Sequence, residues 1–94
     1  MTVLSQIPSR AQHIVSRHLG AEAVLLNTQT EAYFTLNAVG ASVWNLIDGR
    51  RTVAAIVQDL LPTFDVAEAQ LAEDVTELFQ DLIAQQLIAW AGDR

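Results

Sequence analysis

Apolar residues alternate with polar ones along the first third of the chain and recur every three or four residues along the rest. The stretch "QHIVSRHL" (12–19) is rich in β-branched, alternating residues and predicts a strand. Gly20 follows as a turn residue. "EAVLLNT" (22–28) predicts a second strand, "NTQTE" (27–31) a polar turn and "AYFTL" (32–36) a third strand. Two short connections between three short strands imply an antiparallel meander.

The period then changes. Asn37 stands where an N-cap belongs, ahead of "AVGASVWNLI", in which Val39, Val43, Trp44 and Ile47 follow helical spacing. The pair Asp48–Gly49 is placed to stop that helix. Thr52 caps a second helix, "VAAIVQDLL", whose apolar face is Val53, Ile56, Val57, Leu60 and Leu61, and Pro62 ends it. The longest helix is predicted over 67–86. Leu71, Val75, Leu78 and Leu82 form its seam, and Phe79 and Ile83 widen the stripe to about 140°, more than one core face needs. "LIAW" (87–90) reads as an extended tail. The predicted fold class is α+β: a three-stranded antiparallel sheet followed by three helices.

Residues 1–10 read as a loose, flexible segment in which Pro8 blocks regular structure, so the domain is placed at 11–94. Ninety-four residues make one domain. Such a domain buries roughly 60–65% of its unfolded surface, which leaves little for a deep, enclosed active site. The chain has no cysteine, which excludes a disulfide framework and thiolate chemistry and fits a cytoplasmic location. No apolar run approaches the roughly 18 residues of a membrane span, and no signal-peptide pattern opens the chain. The net charge is −6, and the excess lies in the second half, where residues 41–94 carry nine acids against Arg50, Arg51 and Arg94. An acidic surface repels phosphate backbones, so nucleic acid is a poor partner and a basic peptide or protein face a better one.

The third strand of the meander is an edge, and it runs straight into the helices. "AYFTL" carries no proline, lysine or other charge, the usual guards of an edge. Either another part of the protein or a second copy covers it, giving a homodimer, or a peptide adds to it as a fourth strand. One flank of the broad stripe on the last helix is then free to line a groove beside that edge.

The series Tyr33-Phe34-x-Leu36-Asn37-x-x-Gly40-x-x-Val43-Trp44-x-x-Ile47-Asp48-Gly49-x-x-Thr52-Val53-x-x-Ile56 resembles the PqqD family, the small domains also called RiPP recognition elements. The likeness continues through Leu60, Phe64, Asp74-Val75-x-x-Leu78-Phe79-x-x-Leu82 and Leu87-Ile88. It departs at Gln86, where the family often has glycine. The resemblance implies a winged-helix-like fold and a function without chemistry. Such domains bind the leader of a ribosomally made precursor peptide as a strand beside the third strand and the last helix, and present the precursor to a separate peptidase or other modifying enzyme. The style of "YFTLN..G..VW" is most similar to the discrete leader-binding subunits of lasso-peptide biosynthesis, which serve a leader peptidase. The alternative within the family is a pyrroloquinoline quinone-type peptide chaperone serving a radical enzyme. On this reading the peptide-binding residues are Ala32, Tyr33, Phe34 and Thr35 on the strand and Leu71, Asp74, Val75 and Leu78 on the helix. Leu36, Val43, Trp44, Ile47, Ile56, Leu60, Phe64 and Leu82 are assigned to the core, and Asn37, Gly40 and Gly49 to backbone geometry.

No catalytic residues, metal ligands or cofactor are expected. His13 and His18 are five apart on a presumed strand and point to opposite faces, and no phosphate-binding glycine loop is present. A winged-helix DNA-binding protein is the competitor from another class. It requires a basic recognition helix, whereas the last helix holds Glu68, Glu73, Asp74, Glu77 and Asp81 with no lysine or arginine.

Overall fold

A computed structural model describes residues 3–93. A 3₁₀ turn at Val3–Ser5 leads into β1 (Gln6–Arg10), followed by β2 (Ile14–Leu19), β3 (Glu22–Asn27) and β4 (Tyr33–Leu36). The helices are α1 (Ala38–Leu46), α2 (Val53–Leu60) and α3 (Glu68–Ala84), and β5 (Ile88–Asp93) closes the order. Strands β2-β3-β4 form the expected antiparallel meander, with β4 at an edge. The Asn27 side chain shapes the second hairpin: its Oδ1 accepts from the amides of Gln29 and Thr30 at 2.9 and 3.1 Å. His13 lies in the turn before β2 with φ 66°, so it shares no strand with His18.

Both predicted caps are in place. Asn37 Oδ1 accepts from the Gly40 amide at 2.9 Å and Thr52 Oγ1 from the Ala55 amide at 3.1 Å. Helix α1 ends at Leu46, ahead of the Asp48–Gly49 pair expected to stop it. Asp48 instead accepts from the amides of Arg50 and Arg51, both at 2.9 Å. These bonds, Arg51's first and Arg50's next, hold its carboxyl below the ordinary 3.8. The turn therefore contributes stability above that ordinary value and loses it as pH falls through the lowered one.

Helix α3 ends in a Schellman motif. The Leu87 amide donates to the Leu82 carbonyl at 2.9 Å and the Gln86 amide to the Ile83 carbonyl at 3.1 Å. Gln86 takes the left-handed conformation this demands, φ 60°, and Leu87 is buried beyond it. A side chain in that region is disfavoured, and Gln86 stands where the resemblance leads one to expect glycine. Gln86→Gly is expected to stabilise the protein by about 0.5–1 kcal/mol, read as a higher urea midpoint at unchanged m value.

The core joins the inner face of the meander (Ala23, Leu25, Leu36) to Val43, Trp44 and Ile47, to α2 through Val53, Ile56, Val57 and Leu60, and to α3 through Leu71, Val75, Phe79 and Leu82. Phe64 packs against it half-buried. The predicted loose segment over 1–10 requires correction within the described residues, with Met1 and Thr2 lying outside them. Residues 6–10 are β1, paired antiparallel with β5 in a separate two-stranded sheet, so the placement of the domain at 11–94 is too short. Pro8 is buried opposite Trp90, and the register shifts between Ile7 and Pro8. A proline is tolerated there because every strand of a two-stranded sheet is an edge and a bulge relaxes the ladder. The tail over 87–90 becomes the start of β5, and Trp90 meets Phe79 of α3 at 5.9 Å between ring centroids.

Candidate functional site

The open side of β4 is defined by hydrogen-bond alternation. The Asn27 amide donates to the Ala32 carbonyl at 2.9 Å, and β3 pairs Leu25 with Phe34 and Ala23 with Leu36. Antiparallel pairs alternate between bonded and non-bonded residues. Phe34 and Leu36 therefore spend their backbone groups on β3, while Tyr33 and Thr35 direct theirs to the open edge. The opposite ladder agrees: the Thr28 amide bonds the His13 carbonyl at 2.8 Å, which turns Val24 and Leu26 toward β2. Side chains follow the same parity. Phe34 and Leu36 point inward, half-buried and buried, while Tyr33 (72% exposed) and Thr35 stand on the outer face.

Where β4 ends, a groove of about 400 Å³ opens between the start of α1 and one flank of α3. Asn37, Val39 and Gly40 form one wall, and Asp74, Glu77, Leu78 and Asp81 the other. Val39 and Leu78 are half-buried and give the groove an apolar strip. Gly40 lets the wall approach closely, because a Cβ there would lie 3.2 Å from Leu36 Cδ2 and 3.4 Å from Asn37 Oδ1.

The structure divides the expected site residues into three groups. Ala32, Tyr33, Phe34 and Thr35 lie on or next to the open edge, and Asp74 and Leu78 line the groove. Leu71 and Val75, 1% and 0% exposed, belong to the core and touch no open surface. Both side chains pack inward, and of the apolar stripe only Leu78 reaches the groove. Val39, Glu77 and Asp81 join the wall without having been picked out as site residues, and Asn37 and Gly40 do so besides their backbone roles. The signal for Glu77 and Asp81 was present: they follow Asp74 by three and seven residues and so share its side of the helix.

Electrostatically the groove is one-sided. Among the described residues the ion pairs are those of Arg51 with Asp48 and Asp59, at 3.7 and 3.5 Å, so no arginine answers Asp74, Glu77 or Asp81. Gln70 Nε2 donates to Asp74 Oδ1 at 2.9 Å. Among the described residues no group of three His, Cys, Asp or Glu is placed to hold a metal ion, and no helix is long and apolar enough to cross a membrane.

The family of coenzyme PQQ synthesis protein D (PqqD) matches residues 22–88. The chain belongs to the PqqD family. The match begins at β3 and ends at the start of β5, so it takes in β4, α1, α2 and α3 and the whole groove. Two solved structures share the fold of this PqqD-family chain. TbiB1 in complex with the TbiA(beta) leader peptide is 29% identical, with a TM-score of 0.77, over 85% of this chain and 93% of that one. A lasso peptide synthetase B1 complexed with the leader peptide is 18% identical, also with a TM-score of 0.77, over 88% of this chain and 98% of that one, a likeness of fold. No curated protein matches the chain significantly.

Proposed function

We propose that this PqqD-family protein is a non-catalytic binding subunit. It captures the leader of a ribosomally made precursor peptide as a fourth strand on β4 and delivers the precursor to a separate processing enzyme, a lasso-peptide leader peptidase. The observation that carries the reading is the uncharged edge of β4, with the backbone groups of Tyr33 and Thr35 turned outward on the strand that leads into the groove wall at Asn37. Main-chain pairing there supplies affinity without demanding one side chain, and alternate side chains entering the groove supply selectivity. The fold neighbours support the choice of ligand, since both carry leader peptides. They favour the lasso-peptide setting over a pyrroloquinoline quinone-type chaperone. The acidic α3 disfavours a DNA-binding role.

The test combines this protein with a leader-bearing precursor peptide and a lasso-peptide leader peptidase. Alone, the protein is expected to leave the precursor intact. Added to the peptidase, it is expected to raise cleavage about tenfold or more, through the effective concentration of a captured substrate. Leader binding, followed separately by fluorescence anisotropy, distinguishes the two halves of the proposal. Binding without acceleration removes delivery, and absence of binding removes both.

A further inference from the structure

Resting on the leader-binding reading, we propose that the groove selects a peptide with a lysine or arginine two residues away from an apolar side chain. Both side chains lie on the inward face of the added strand. The parity of β4 fixes that face. Peptide residues opposite Tyr33 and Thr35 place their side chains on the outer surface of the sheet, and those opposite Phe34 and Leu36 place theirs on the side of α3. The inward positions are therefore two residues apart. One stands opposite the half-buried Phe34 ring, and an apolar side chain fits it. The next stands at the mouth of the groove, where β4 gives way to Asn37 and the wall is Asp74, Glu77 and Asp81.

The chain itself offers these carboxylates no cation among its described residues. Arg51 is held by Asp48 and Asp59, and the Arg10 guanidinium lies over the Trp44 ring, 4.9 Å from its centroid. Arg17 lines a hollow on the outer face of the sheet with Val15, Val24, Leu26 and Tyr33. The acids also work against their own helix. Glu77 and Asp81 are like charges four residues apart, and Asp81 sits in the last turn of α3, where the helix dipole favours a cation and no basic residue stands. A neutral polar side chain entering the groove leaves this repulsion in place. A lysine or arginine relieves it, and its flexible stem packs along Leu78 and Val39.

The test uses an mRNA-displayed library of random twelve-residue peptides, selected in parallel on three forms of the full chain. These are the wild type, the Glu77→Gln/Asp81→Asn double variant and Thr35→Pro, each first shown to melt cooperatively. The wild type is expected to enrich peptides with a basic residue two positions from an apolar one. The double variant is expected to keep the apolar position, lose the basic one and bind wild-type-selected peptides about three- to tenfold more weakly. Binders with no basic preference that are lost on Thr35→Pro overturn this inference and leave the leader-binding reading standing. Binders indifferent to Thr35→Pro, or no binders at all, overturn both.

Discussion

Trp44→Ala is expected to destabilise the whole domain severely. Trp44 is 2% exposed and is among the largest fully buried side chains of the core. It also ties β1 to the helices: the Arg10 guanidinium lies 4.9 Å from its ring centroid, and Arg10 Nη2 donates to its carbonyl at 2.7 Å. Deleting a buried tryptophan to alanine costs about 3–5 kcal/mol, against a total of about 5–15 kcal/mol for a folded domain. For a chain this short the melting temperature should fall by about 15 °C or more, measured by circular dichroism. Trp44→Phe is the informative companion. The buried Nε1 has no hydrogen-bond partner among the described residues, so phenylalanine sacrifices volume but no bond there and should lose much less. An alanine variant with the wild-type melting temperature and no peptide binding would place Trp44 in the site instead of the core.

Proline at two adjacent positions of β4 should produce opposite failures. Thr35 turns its amide to the open edge, so Thr35→Pro removes a donor that only an added strand uses. The melt should stay within a few degrees of wild type, while leader affinity drops beyond detection by anisotropy. The Phe34 amide belongs to the β3 ladder opposite Leu25. Phe34→Pro therefore breaks a structural bond and strips a half-buried ring from the core, and it should unfold the sheet. Phe34→Ala separates the loss of the ring from the loss of the amide, and Thr35→Val, which keeps the amide, should bind nearly normally. Normal leader binding by a well-folded Thr35→Pro variant removes the strand-addition mechanism.

Local chemistry was legible in the sequence wherever the residues that act are neighbours in the chain. Asn37 and Thr52 announced their caps, and the three short strands with their polar turns announced the meander. The pairing of β1 with β5 was not legible, because it joins residues more than seventy positions apart and Pro8 argues against a strand until its bulge is seen. The α3 wall was half legible. Periodicity gives the stripe but not its edges, so it cannot tell Leu78, which lines the groove, from Leu71 and Val75, which are buried. Likewise the parity of the β4 amides depends on the register with β3, which no residue within β4 encodes.

Helix α3 keeps its two duties on separate residues. Leu71, Val75, Phe79 and Leu82 hold the fold, while Asp74, Glu77 and Asp81 stand outside the core and line the groove. Nothing in the packing ties the second set to the first. Ligand preference is thus free to drift through exchanges at those three positions without endangering the scaffold. The same separation makes them the place to attempt retargeting: reversing charge at Glu77 and Asp81 is expected to change the peptides selected while the melting temperature holds.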